Sequence, residues 1–290
     1  MNKMIMTLFA RTPVHVGAGN SVGAVDAPIQ RERHTRIPII PGSSLKGVLA
    51  DLWNARGEDG KLSRTAEGKA LFGEDDNNVD AKAGALLIGE ARVLAFPVRS
   101  AKGMFAWITC PLALRRFKRE TSAAFAVPEV SGETAHAFES VKIKDSVVLE
   151  EYAFKVAREP DAVLVESLKG LVPNDSVWAG IKEQLVIVSD EIFQHFCEHA
   201  CEVVTRIRIN DETGTVDGSG LFNQEQVPSE TLFYTLVLAQ NEKKKDGGSR
   251  TADEALAALK QKLESKKWLQ VGGDATIGLG FCSVNCKEVE

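Results

Sequence analysis

No stretch of about 18 consecutive apolar residues occurs in this 290-residue sequence, so no segment reads as a membrane-spanning helix. The opening Met-Asn-Lys-Met-Ile-Met-Thr-Leu-Phe-Ala lacks a signal-peptide cleavage pattern, and the expectation is a cytoplasmic protein with no membrane partner. Positive charge is not in excess: 35 basic against 40 acidic residues give a formal charge of -5, which excludes a free-standing nucleic-acid binder working through bulk charge. Any such binding must be local, and two basic stripes are present, at Arg31, Arg33 and Arg36 and at Arg115, Arg116, Lys118 and Arg119. Taken singly, such stripes are usually solvated surface. Cysteine is scarce and odd in number, five in all, which argues against a disulfide framework. The cluster His195, Cys197, His199, Cys201 resembles a metal site only at first glance. On a helix the two cysteines and the two histidines fall on different faces, so zinc is not expected and the thiols read as buried core. Simple repeats, a Walker A loop and a Gly-x-Gly-x-x-Gly dinucleotide fingerprint are also missing.

What is present is an ordinary globular composition, 44% hydrophobic and 26% charged, long enough to bury a substantial core. Met4–Thr12 alternates well enough for a first strand. A glycine-rich loop runs to Pro41, and a helix follows, capped by Ser43 or Ser44, with Leu45, Val48, Leu49, Leu52 and Trp53 on one side and an end near Gly57. A short helix is expected over Thr65–Phe72, then a polar turn at 74–78, strands over Ala85–Val98 and Phe105–Cys110, and a helix from Pro111 to Arg119. Residues 120–137 read as a mobile insertion. Strands are expected at Val147–Val156 and Leu185–Val188, and a helix at Asp190–Cys201. Val203–Ile209 and Leu221–Val227 flank the turn residues Asn210 to Gly214, as in a hairpin. Leu232–Ala239 is a buried strand, residues 243–249 a linker, Thr251 and Glu254 a capping box, and Phe281–Val289 the last strand. This βαββαβ order is that of an α+β, ferredoxin-like (RRM-like) sheet with long insertions, read as a single domain over 1–290.

Gly42-Ser43-Ser44-x-Lys46-Gly47 is a helix opening with free N–H groups, two hydroxyls and one ammonium, to which a phosphate is a natural ligand. Simple N-capping by serine explains the same residues. Asp26 stands between Val25 and Ala27 with no carboxylate near it in sequence, and alone would be an ordinary turn former. Gly272, Gly273, Gly278 and Gly280 suit either two tight turns or close approach of main chain to a ligand.

Several of these segments together resemble the RAMP superfamily of CRISPR effector subunits, most closely the backbone subunits of Cmr-type (type III-B) complexes. They are His15-Val-Gly17-Ala-Gly19, Asp26-Ala-Pro28-Ile-Gln30-Arg31, Pro38-Ile-Ile-Pro41-Gly42-Ser43-Ser44-Leu45-Lys46-Gly47, the run Arg206 to Val216, Glu225-Gln-Val-Pro228 and Gly272 to Gly280. The resemblance spans nearly the whole chain. It implies a RAMP fold, crRNA as guide, a target RNA, other copies of the chain in a helical filament and other Cmr-type subunits as partners. It also implies an endoribonuclease in which the RNA 2′-hydroxyl attacks the adjacent phosphate, with Asp26 as catalytic residue or ligand of a divalent ion, Mg2+ or Mn2+, and His15 and Glu225 as further candidates. Arg31, Ser43, Ser44, Lys46, Gly273 and Thr276 are the implied RNA contacts. The hairpin at about 203–227 is the implied thumb, although the insertion at about 120–145 is also long enough. The same resemblance leaves open a non-catalytic backbone subunit, the type III-A equivalent, or a crRNA-processing ribonuclease.

Overall fold

The computed structural model describes residues 2–19, 23–58, 60–74, 82–243, 249–266 and 268–289. Four strands form the centre of its sheet, in the spatial order Phe281–Val289, Asn2–Ala10, Leu232–Ala239, Ala91–Arg99, each antiparallel to its neighbour. With the helices Gly42–Asp51 and Ala252–Glu264 between them in sequence, this is the 4-1-3-2 sheet of a ferredoxin-like unit. The first strand, expected to alternate, lies between two others and is buried on both faces from Met4 to Ala10, so it carries a near-continuous apolar run instead. Its one interior hydroxyl, on Thr7, donates to the carbonyl of Leu171 at 2.9 Å. The Ala252–Glu264 helix starts where the capping box predicts: the Glu254 N–H donates to the Thr251 hydroxyl, and the Glu254 carboxylate accepts from the Thr251 N–H. Ala255, Leu256, Leu259 and Leu263 turn into the core.

Beyond Ala91–Arg99 the sheet continues through Phe105–Thr109, Leu185–Ile187, Thr134–Ala137, Tyr152–Arg158, Ser146–Leu149 and Lys142–Ile143, and reaches 13 strands among the described residues. The segment expected to be a mobile insertion is therefore partly sheet: Thr134–Ala137 pairs on both sides, and Phe125 is buried with its carbonyl held by Lys118. Its scattered small residues hid the one aromatic anchor. Two single strands expected from sequence are each broken. Ala85–Val98 divides into Leu86–Ile88 and Ala91–Arg99, both paired with Leu232–Ala239, because the Gly89 N–H donates to Leu236 and takes up the irregularity. Val147–Val156 is a hairpin turned at Glu150, whose φ is 50°. The 74–78 turn and the 243–249 linker fall largely outside the described residues.

The hairpin Glu202–Ile209 and Val216–Gln226 stands off as its own two-stranded sheet. Asn210 closes its tip, its side-chain oxygen accepting from the N–H groups of Glu212 and Thr213. Val203, Ile207, Ile209, Val216 and Leu221 share one face of it and are all 45% or more exposed, so the hairpin projects an apolar face that this chain alone leaves uncovered.

Candidate nucleic-acid interface and its carboxylate

The candidate site is built on the root of that hairpin. Asp26 is exposed, and one of its oxygens, Oδ2, accepts from the Asn223 N–H at 2.8 Å. The next residue is pinned by a parallel bridge, with the Ala27 N–H donating to the Asn223 carbonyl and the Glu225 N–H to the Ala27 carbonyl, each at 3.0 Å. One hydrogen bond to the carboxylate and two to the main chain of Ala27 thus fix this loop to a strand, and the other oxygen of Asp26 is left without a partner among the described residues.

His15 comes to the same strand from the first turn of the glycine-rich loop. Its Nδ1 lies 2.7 Å from the Glu225 carbonyl, which can only accept, so Nδ1 carries a proton and donates it there. The ring is buried, and a Cβ added to Gly17 would stand 3.0 Å from Nε2. The His15 carbonyl accepts from Gly273, and at Gly272, where φ is +89°, a Cβ would lie 2.3 Å from that same oxygen. Glycine is required there by both conformation and space. The loop also carries exposed Thr276, and Asp274 in it accepts from Gln224 at 2.5 Å, which ties the loop to the hairpin.

Glu225 points inward. Oε2 accepts from the Ile29 N–H at 3.0 Å and Oε1 from the Arg31 guanidinium at 2.5 Å. Arg31, its side chain only 6% exposed, also donates through Nη1 to the carbonyls of Arg36 and Cys197 at 2.7 and 2.8 Å. Burial disfavours the Arg31 charge. Its neighbours Cys201 and Glu225 nevertheless hold its pKa above the usual arginine value. Burial pushes the Cys201 thiol up to about 12, so it is neutral near pH 7 and Glu225 is the counter-charge. Glu225 and Arg31 therefore form an internal clamp that shapes the 26–31 segment, with little of either presented to a ligand.

At the Gly42–Asp51 helix the residue before the first turn is Pro41, and no side chain caps it. The expectation of a serine N-cap is corrected: the helix begins one residue earlier than Ser43, since Gly42 fits against Ile88 and Gly89, where a Cβ would meet the Ile88 carbonyl at 2.6 Å. It also ends at Asp51, ahead of Gly57, because Asn54–Arg56 pairs with Leu62–Arg64. Ser43 and Lys46 are exposed and Ser44 half-buried, and their side chains have no partner among the described residues. The first-turn N–H groups with two free hydroxyls and one ammonium are the equipment of an anion seat.

Cys197 is a core residue as expected, as are Cys110 and Cys282, while Cys201 and Cys286 are half-buried. Sequence reasoning missed the backbone of Asn223, the buried Gln224–Gln226 pair and the Arg206 that donates to Gln224. The polar run Asn223-Gln-Glu-Gln226 at the foot of an alternating hairpin was the available signal.

Comparison with known proteins agrees with this architecture. The family model of the RAMP superfamily matches residues 7–283. The protein named CRISPR system Cmr endoribonuclease Cmr4 from Pyrococcus furiosus is 37% identical over 301 residues, covering 100% of this chain and 97% of that one. The crystal structure of oligomeric Cmr4 from the same organism superposes with a TM-score of 0.73 at 31% identity, covering 100% of this chain and 99% of that one. A chain of the cryo-EM structure of the type III-B Cmr-beta complex bound to cognate target RNA has the same fold, with a TM-score of 0.72 at 20% identity and coverage of 99% and 97%. A ferredoxin-like core, a projecting hairpin, glycine-shaped loops packed on His15 and a match over almost the whole length lead to one assignment: the chain belongs to the RAMP superfamily.

Proposed function

We propose that the chain is the crRNA-binding backbone subunit of a Cmr-type effector complex in the cytoplasm, and that it cleaves complementary target RNA at Asp26. The observation that carries the reading is the hairpin root, where residues 223–225 hold both Asp26 and His15, in a chain that aligns end to end with a protein named as a Cmr endoribonuclease. The guide lies against the Gly42–Asp51 helix, its phosphates taken by the first-turn N–H groups, Ser43, Ser44 and Lys46, with Gly273 and Thr276 flanking it. Copies stack head to tail, each hairpin laying its apolar face on the next copy and prising a nucleotide pair out of the stack, so cuts recur at a fixed spacing.

RNA carries its own nucleophile. At the unstacked position the 2′-hydroxyl oxygen attacks the neighbouring phosphorus, its proton leaves, and the P–O5′ bond breaks. The products are a 2′,3′-cyclic phosphate and a 5′-hydroxyl that takes up a proton. The pinned Asp26 has one oxygen bound to Asn223 and the other free, which suits it to orient the 2′-hydroxyl and accept its proton. The lone carboxylate also fits a hard divalent ion such as Mg2+ or Mn2+, for which one carboxylate with RNA phosphate oxygens and water is an ordinary ligand set; such an ion would stabilise charge on the phosphorane. His15 and the Glu225–Arg31 clamp act by positioning, since the first is buried with its Nδ1 committed and the other two face each other.

The test uses the reconstituted complex with guide and complementary RNA. Regularly spaced cuts are expected, with products whose 3′ ends resist ligation until the cyclic phosphate is removed, and with activity lost in chelator and restored by Mg2+ or Mn2+. Tight target binding without cutting would establish a non-catalytic backbone subunit instead. Cutting of repeat RNA by the isolated chain would establish a guide-processing enzyme.

A further inference from the structure

The two basic stripes, 80 residues apart in sequence, meet in the fold. Arg33, Arg92, Arg116 and Arg119 line one cleft of about 420 Å³ beside the 26–39 segment. At its floor lies Glu32, 6% exposed, whose two oxygens are both held by Arg116 Nη1 at 3.1 and 2.9 Å, with the Thr35 hydroxyl at 2.5 Å and Arg92 at 3.6 Å. Glu90 fixes Arg92 from the side, at 2.9 and 2.8 Å. Arg31 is answered by Glu225, so four arginines face Glu32 and Glu90 and the cleft carries a formal net charge of about +2 before histidine is counted.

The arrangement is that of a built anion seat. Glu32 lies below the rim and holds Arg116 and Arg92 in place, with Arg116 also meeting His34 Nε2 at 3.2 Å through Nη2. Arg33 is exposed with no partner among the described residues, and Arg119, its side chain 68% exposed, has only its chain neighbour Glu120. The cleft also abuts the helix that opens at Gly42. Ile39 lines it, and the Ile39–Ile40 strand pairs with Arg92 and Ala91 immediately before Pro41 and the Ser43–Lys46 turn.

We propose that this arginine cleft is a second seat for RNA phosphodiesters, continuing the track that begins at Ser43, Ser44 and Lys46. The proposal rests on the guide-binding reading of that helix. Planar forks suit phosphate oxygens, and the cleft has little apolar lining for a protein segment to bury. Guide and target strands offer the same phosphodiester, and the experiment separates them.

Arg33→Ala/Arg119→Ala changes two exposed side chains and leaves the Glu32 cluster intact. Its affinity is measured in the assembled complex across a salt titration, once for guide loading and once for target binding to guide-loaded complex. Losing two phosphate contacts lowers the slope of log affinity against log salt by roughly 1.4, so the affinity lost between 50 and 200 mM salt shrinks about sevenfold. That change in the guide arm assigns the cleft to the guide; in the target arm, to the target. Arg33→Lys/Arg119→Lys keeps the charges and should keep the slope. Unchanged slopes in both arms overturn the proposal, and unchanged slopes with weakened assembly would make the cleft a seat for an acidic protein surface instead. Ser44→Ala/Lys46→Ala is run alongside: if it leaves RNA binding intact, the reading of the helix fails while the result for the cleft still stands.

Discussion

Arg31 and Glu225 offer the sharpest test of how the site is held. The change to make is Arg31→Met, which keeps the aliphatic stem and removes the guanidinium. Glu225, its side chain 11% exposed, would then keep only the Ile29 N–H as partner, and the carbonyls of Arg36 and Cys197 would each lose a donor. Removing one member of a buried ion pair costs about 3–5 kcal/mol, chiefly because the other charge stays buried. A chain of this length has an unfolding entropy of about 0.6 kcal/mol/K, so Tm should fall by about 5–8 °C. Arg31→Met/Glu225→Leu should recover part of that loss, since an apolar pair strands no charge. The assay is calorimetry or thermal circular dichroism on the four proteins of the cycle. A shift under 2 °C for Arg31→Met, or a double variant as unstable as the sum of the singles, would refute the clamp.

Gly280→Ala should destabilise by about 3 kcal/mol in urea titration, because φ there is +78° and the new Cβ would lie 2.0 Å from the Val271 carbonyl. Burial alone would raise the Glu32 carboxyl, but the Thr35 hydroxyl and the Arg116 and Arg92 guanidiniums hold it below the ordinary carboxylate value. Its contribution is thus present above the unfolded pKa of about 4.3 and is lost as pH falls through the lower folded value, so Glu32→Gln should lower stability at pH 7 and have a shrinking effect as pH falls below the ordinary carboxylate range. Ile207→Asp/Leu221→Asp alters side chains 56% and 59% exposed, and should leave Tm within about 2 °C while weakening self-association in sedimentation at least tenfold.

The ferredoxin-like core was legible in the sequence because its parts carry local signals: the apolar first strand, the Thr251–Glu254 capping box, the alternation before the Asn210 turn. What escaped was set by distant partners. Phe125 anchors residues 122–133 only because the Phe117 helix and its neighbours are there to bury it, and Gly89 divides a strand only because Leu236 lies opposite. At the site, Asp26 and His15 were named from the resemblance, yet their meeting on residues 223–225 is a long-range fact that spacing could not supply. Arg31 and Glu225 were likewise named from the resemblance, for the chemistry of an RNA contact and of a catalytic carboxylate. Their mutual burial turned that chemistry inward. The serine-rich helix start looked like a cap, and Pro41 takes that place because Gly42 must pack against Ile88.

The measurement that bears most directly on the central claim is single-turnover cleavage of complementary RNA by complex reconstituted with Asp26→Asn. The amide still accepts from the Asn223 N–H, so the loop, guide loading and target affinity should match the unaltered complex. Cleavage should fall at least about 100-fold, the loss typical of removing a positioned proton acceptor. Cutting at the unaltered rate with equal binding would contradict the assignment of Asp26.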